Sequence, residues 1–149
     1  MVRRLMVSMV AASLAGLVVT GCGGEEPFDE EAARAEVEAN WEDFFDASQP
    51  VESKADLLQH GELLQEILQT SAENNTGIDQ LRAEVTEVTI GEDHDSAEVV
   101  FDLFNADVKL LGEVQGTAVL DEGTWKVGAS LFCDLQSLAN NFCPELPED

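Results

Sequence analysis

Three cysteines, two histidines and a dense set of carboxylates are the residues of this chain whose types could do chemistry. Cys22 closes the run Val19-Thr20-Gly21-Cys22, directly after a stretch from Leu5 to Val19 that carries no charge and follows Arg3 and Arg4. That layout is a secretory signal ending at a small-residue cleavage site. The apolar stretch is about 15 residues long, against the roughly 20 that a spanning helix needs, which favours cleavage before Cys22 over an uncleaved membrane anchor. With Cys22 set aside, Cys133 and Cys143 remain as a pair, and outside the membrane the compartment permits a disulfide. Closing so short a loop contributes about 2–3 kcal/mol. A redox or metal role is the alternative, but the spacing is not a compact CxxC and no histidine lies nearby.

The disulfide makes a structural demand. Ten residues of unbroken helix would hold the two cysteines about 15 Å apart, whereas a disulfide needs Cα atoms about 4.4–6.8 Å apart. The segment therefore has to fold back. A short helix over 134–139, ended by Asn140-Asn141 and followed by Cys143-Pro144, does so, because Asn tolerates the left-handed conformation that ends helices.

The remaining candidates are weaker. His60 precedes Gly61 at an expected helix end, where a cation suits the helix dipole, and His94 sits among acidic turn neighbours. Glu92, Asp93, His94 and Asp95 form an acidic cluster that lacks the alternating oxygen ligands and terminal glutamate of a calcium loop. No metal site is therefore assigned. There is no serine, histidine and acid set with informative spacing, no glycine-rich phosphate loop and no spare cysteine nucleophile.

The Val19–Cys22 run is similar to the cleavage site of bacterial lipoproteins. That resemblance implies a lipid on Cys22 and a place on the extracytoplasmic side of the cell membrane, held by two or three acyl chains. The organisation expected is then a lipoprotein signal over 1–21, a tether over 22–27, one domain over 28–144 and an acidic tail over 145–149. Loss of Arg3 and Arg4 with the signal leaves 5 basic residues against 31 acidic ones, a net charge of −26. Such a field repels nucleic acid and anionic headgroups, so no nucleic-acid role is expected and membrane association has to come through the lipid. The acidity itself reads either as a solvated surface suited to saline or alkaline surroundings or as a cation-binding or acidic interaction surface.

The elements that must position these residues follow from hydrophobic periodicity. From Asp29 to about Ser48, Val37, Trp41, Phe44 and Phe45 recur at helical spacing behind the acidic start Asp29, Glu30 and Glu31. Ser53 is placed to cap a second short helix through Leu57 and Leu58, ending near Gly61, and Leu63, Leu64, Ile67 and Leu68 form the stripe of a third. Asn74-Asn75-Thr76-Gly77 ends the helical half. Alternation then predicts strands over 83–90, 96–104, 114–120 and 124–129. Val85 and Val88 are out of phase, which predicts a bulge in the first. No gap is long enough for a crossover helix, so the strands run as antiparallel neighbours, and helices followed by a meander is an α+β order.

Trp41-Glu42-Asp43-Phe44-Phe45, the Lys54–Gly61 run, Ser96-Ala97-Glu98-Val99, Gly123-Thr124-Trp125-Lys126-Val127 and the closing Phe132-Cys133 and Cys143-Pro144 occur in an order that resembles the actinobacterial low-molecular-weight antigen Mtb12-like proteins, over about residues 32 to 144. The resemblance implies an NTF2-like cone: three N-terminal helices packed on a curved four-stranded antiparallel sheet, with a short C-terminal helix. It also implies a pocket between sheet and long helix, and homodimers through the open sheet face, but no catalytic motif and no cofactor. Isomerase and cyclase relatives of that fold use a buried acid with a Tyr, Asp or His partner, and this chain, with no tyrosine, lacks the phenolic donor of the isomerase pattern. Trp41, Phe44, Phe45, Phe101, Phe104 and Trp125 are the aromatic residues expected either to line such a pocket or to fill the core. The function expected is non-catalytic binding of a small apolar ligand or an envelope partner. A ligand-free accessory envelope protein and a cone-fold enzyme with an acidic pocket residue are the alternatives.

Overall fold

Asp29 starts the first helix. Its carboxylate accepts the Ala32 N–H at 3.0 Å, and Glu30 and Glu31 place negative charge on the first turn, where free N–H groups are partly positive. The helix, α1 (Glu30–Phe45), buries Ala33, Val37, Trp41, Phe44 and Phe45, all on one stripe. The computed structural model describes residues 27–74 and 79–147. The signal segment, Cys22, the tether up to Glu26 and the Asn75-Thr76-Gly77 turn lie outside those residues. Among the described residues no helix is long and apolar enough to cross a membrane.

Two shorter helices follow, α2 (Val51–Asp56) and α3 (Gly61–Asn74). Both ends of the expected second helix differ from the sequence reading. Pro50 opens α2 in an extended conformation with no side-chain cap, so Ser53 lies inside the helix instead of capping it. Gly61 begins α3 instead of ending α2, and it is glycine for a steric reason: a Cβ there would come within 1.8 Å of the Ala55 carbonyl oxygen. His60, at φ 56°, thus stands at the N-terminal side of α3, where its carbonyl accepts the Leu63 and Leu64 N–H groups. A cation there opposes the helix dipole instead of complementing it.

The sheet runs β1 (Leu81–Ile90), β2 (Ser96–Asn105), β3 (Val108–Asp121), β4 (Thr124–Val127), in that spatial order and antiparallel throughout. The expected irregularity in the first strand is present: register shifts between Val85 and Glu87. β3 begins six residues before the expected start at Val114, because Val108–Glu113 pairs with β2 only through further register shifts around Leu103 that hide its alternation. Asp102 secures that stretch by accepting the Glu113 N–H at 2.8 Å and the Lys109 ammonium, with Glu113 at φ 52°. The β3–β4 hairpin turns through Glu122 and Gly123, both at positive φ, as a two-residue primed turn requires.

The sheet curls around α1, giving a cone-like α+β fold. Beyond β4, the link between α2 and α3 covers the edge: Val127 donates to the Leu57 carbonyl at 2.8 Å and Gln59 donates to the Val127 carbonyl at 2.9 Å. The last strand ends at Val127, and Ala129, expected within it, opens α4 (Ala129–Leu138). This helix is longer than the expected 134–139 because Leu131, Phe132 and Leu135 give it an inward stripe from its first turn. Asn140, at φ 60°, turns the chain as expected, and Cys133 and Cys143 are joined with Cα atoms 5.7 Å apart. Leu146 packs against the core, so the ordered fold continues past Pro144.

Candidate functional site

Where α1 ends, its last two aromatic residues stand at the border of the filled core, Phe45 still stacking on Phe101 at 5.1 Å. On their other side Phe44 and Phe45 form one wall of a cavity of about 430 Å³, within the size range that holds small molecules. Leu81 from β1, Leu103 from β2, and Leu110 and Leu111 from β3 continue the lining, and Leu68 of α3 with Phe132 and Leu135 of α4 close the opposite side. Phe44 meets Phe45 edge-on at 5.0 Å and Phe132 at 6.0 Å, which locks the rings in place. Leu110, Leu111 and Leu138 also belong to the lining yet are 45%, 39% and 74% exposed, so the mouth is apolar as well.

Few polar groups interrupt this surface. Gln136 donates to the Ser71 hydroxyl at 3.2 Å, bridging α4 to α3 across the cavity wall. Asp79 is the single carboxylate on the lining and is exposed. Lys54, from α2, is half-buried on the lining, and burial pushes its ammonium below the usual lysine range despite the opposing attraction of Asp46. Asp46 is itself held below the usual carboxylate range, chiefly by hydrogen bonds from Ser48, whose N–H reaches it at 2.7 Å.

The aromatic candidates separate into three groups. Phe44 and Phe45 line the cavity. Trp41, Phe101 and Trp125 are fully buried behind it, with Trp41 edge-on to Phe101 at 5.4 Å and the Trp125 carbonyl accepting from Asn40 at 2.9 Å. Trp41 Nε1 finds no acceptor among the described residues, so its indole serves packing. Phe104 lies outside the cavity, on the other face of the sheet. Side chains alternate along β2, and with Phe101 and Leu103 inward, Phe104 points outward between Arg82, at 4.3 Å, and Lys109, at 5.4 Å.

The acidic turn is a self-contained structure. Asp93 accepts the Asp95 N–H and the Ser96 hydroxyl, both at 3.1 Å, which holds its carboxyl below the usual range. His94 stacks on Phe28 at 4.0 Å, and among the described residues no group of three or more His, Cys, Asp or Glu is arranged to hold a metal ion.

Sequence reading did not single out Lys54, Leu103, Leu110, Leu111, Phe132 or Leu135 for this site. The Phe132 and Leu135 stripe and the adjacent pair Leu110-Leu111 were visible signals of apolar surface; Lys54 had none beyond the scarcity of lysine.

The cavity and the N-terminal entry of the chain are at opposite ends of α1. Phe28 packs beside the β1–β2 turn, whereas the Ala47 N–H reaches the Leu81 carbonyl at the start of β1, so α1 runs antiparallel to that strand. Sixteen helical residues span about 24 Å. Residues 30–143 match the family described as low molecular weight antigen MTB12, C-terminal domain. No curated protein matches the chain.

Proposed function

We propose that this chain, which belongs to the low molecular weight antigen MTB12 C-terminal domain family, is a lipid-anchored extracytoplasmic binding domain that holds a small apolar ligand without turning it over. The observation that carries this is the cavity at the end of α1, open to solvent and walled by apolar side chains from helices and strands that the core already fixes in place. The lining supports binding over catalysis: its one carboxylate is exposed, and the Ser71 hydroxyl receives an amide hydrogen bond and has no histidine beside it on the lining. With Cys22 lipidated, α1 would carry the mouth away from the bilayer by about its own length, toward whatever the envelope presents.

Native mass spectrometry of the chain extracted from membranes tests this. The expected result is a non-covalent adduct that Leu103→Trp, which fills the cavity, abolishes. Absence of any adduct across independent preparations would sink the binding reading. A second reading, an accessory protein whose partner covers the mouth, is favoured by the exposure of Leu138 on its rim.

A further inference from the structure

The described residues include five lysine and arginine side chains in a chain with 31 carboxylates. Four of the five are paired: Arg34 with Glu30, Arg82 with Glu84, Lys109 with Asp102 and Lys126 with Asp121. Lys54 is the exception, for its ammonium makes no ion pair or hydrogen bond with any described residue. It is also the one cation on the cavity lining, on α2 one helical turn after Val51, which lines the cavity too.

A half-buried ammonium with no carboxylate in contact, drawn only by the more distant charge of Asp46, is a destabilising arrangement, and burial outweighs that attraction and draws Lys54 below the usual lysine range. Among so many carboxylates, pairing it internally would need only one acid at the right place. The site instead presents a single positive charge beside an apolar volume. We propose that the cavity takes an aliphatic monocarboxylate, its carboxylate paired with the Lys54 ammonium and its chain lying among Phe44, Leu103 and Phe132. One charge on the ligand is argued from the surroundings. Asp46 and Asp79 stand close by and the whole chain is strongly negative, so a second ligand charge would be repelled with no cation to meet it. This inference rests on the cavity being a binding site, and it names what binds there.

The test is isothermal titration of the full chain in lipid nanodiscs, blanked against empty nanodiscs, with decanoate, decanol and decyl phosphate. Decanoate is expected to bind about tenfold more tightly than decanol, as a charge-assisted hydrogen bond in a partly buried site allows. That preference should vanish in Lys54→Gln and survive in Lys54→Arg. A preference that persists in Lys54→Gln, or decanol binding as well as decanoate, overturns the role of Lys54 and leaves the binding function standing. Decyl phosphate binding more tightly than decanoate overturns the assignment to a monocarboxylate. No binding of any of the three overturns the inference together with the binding function.

Discussion

Three turns into α1, Trp41 packs edge-on to Phe101, and its indole reaches so close to β3 that a Cβ on Gly116 would stand 3.0 Å from the ring and 2.5 Å from Leu131. One turn further along the same helix, Phe44 and Phe45 border a cavity of about 430 Å³. The side chains are of one kind and share one stripe, so the helix does not make the difference; the facing strand does. At Gly116 the strand gives up its side chain and the Trp41 indole fills the place. Toward its start, β3 passes through register shifts beside Leu103 and a left-handed residue at Glu113, and Leu110 and Leu111 are left as a partly exposed rim. A bulged strand can thus keep its hydrogen bonds to the sheet and still leave space against the helix.

If the closed end is the stabilising half and the open end the functional half, mutations should sort accordingly. Trp41→Ala, in the closed region, is expected to cost about 3–5 kcal/mol, seen as a large fall in the denaturant midpoint. A loss below about 1 kcal/mol would mean that the region around Trp41 is not the tight core described. Replacing the Cys133–Cys143 pair by serine comes next, at about 2–3 kcal/mol. Because that bond ties down α4, whose Phe132, Leu135 and Leu138 line the cavity, it should also weaken decanoate binding. Unaltered binding after the disulfide is removed would separate α4 from the site.

The closed half was the more legible of the two. The stripe Val37, Trp41, Phe44, Phe45 announces α1 because helical phase is a local property, and the clash of phase between Val85 and Val88 announces the bulge for the same reason. The cysteine pair and Asn140 carried their own geometric demands. Phe104 shows a signal that was present and unused: residues 101 and 104 differ in parity, so an uninterrupted strand puts them on opposite faces. Gly61 looked like a helix stop because glycine serves there so often, while its actual reason, the Ala55 carbonyl, depends on how two helices meet. The cavity and Lys54 belong to that second kind, since they exist only as distances between elements. A gap between a helix and a strand has no local sequence pattern.

At the rim the expected effects are smaller and fall on binding. Leu138→Asn removes an apolar side chain that is 74% exposed, so stability should move by no more than about 0.5 kcal/mol, while decanoate affinity should fall about threefold. Equal binding would show that Leu138 faces a partner and not the ligand.

The smallest effect, and the one that links the two halves, concerns Lys54. Its folded-state pKa lies below the unfolded value near 10.5, because burial disfavours the ammonium. Well below the folded value both states carry the proton, and the folded chain bears the burial penalty in full. Between the folded and unfolded values the unfolded chain binds more proton than the folded one, so stability rises as pH climbs through that window. The chain has no tyrosine, so no phenol titrates there to obscure the rise. Lys54→Met should therefore be slightly more stable than the parent at neutral pH, and the difference should close at alkaline pH. Saturating decanoate should act on the parent in the opposite sense, restoring the lysine toward its ordinary range and flattening the rise. Thermal melts at neutral and alkaline pH, with and without decanoate, measure both. A lysine that weakens the empty fold and is relieved by an anion in the cavity is a binding group held at some expense to stability, whereas an unchanged difference across pH would make Lys54 an ordinary surface residue.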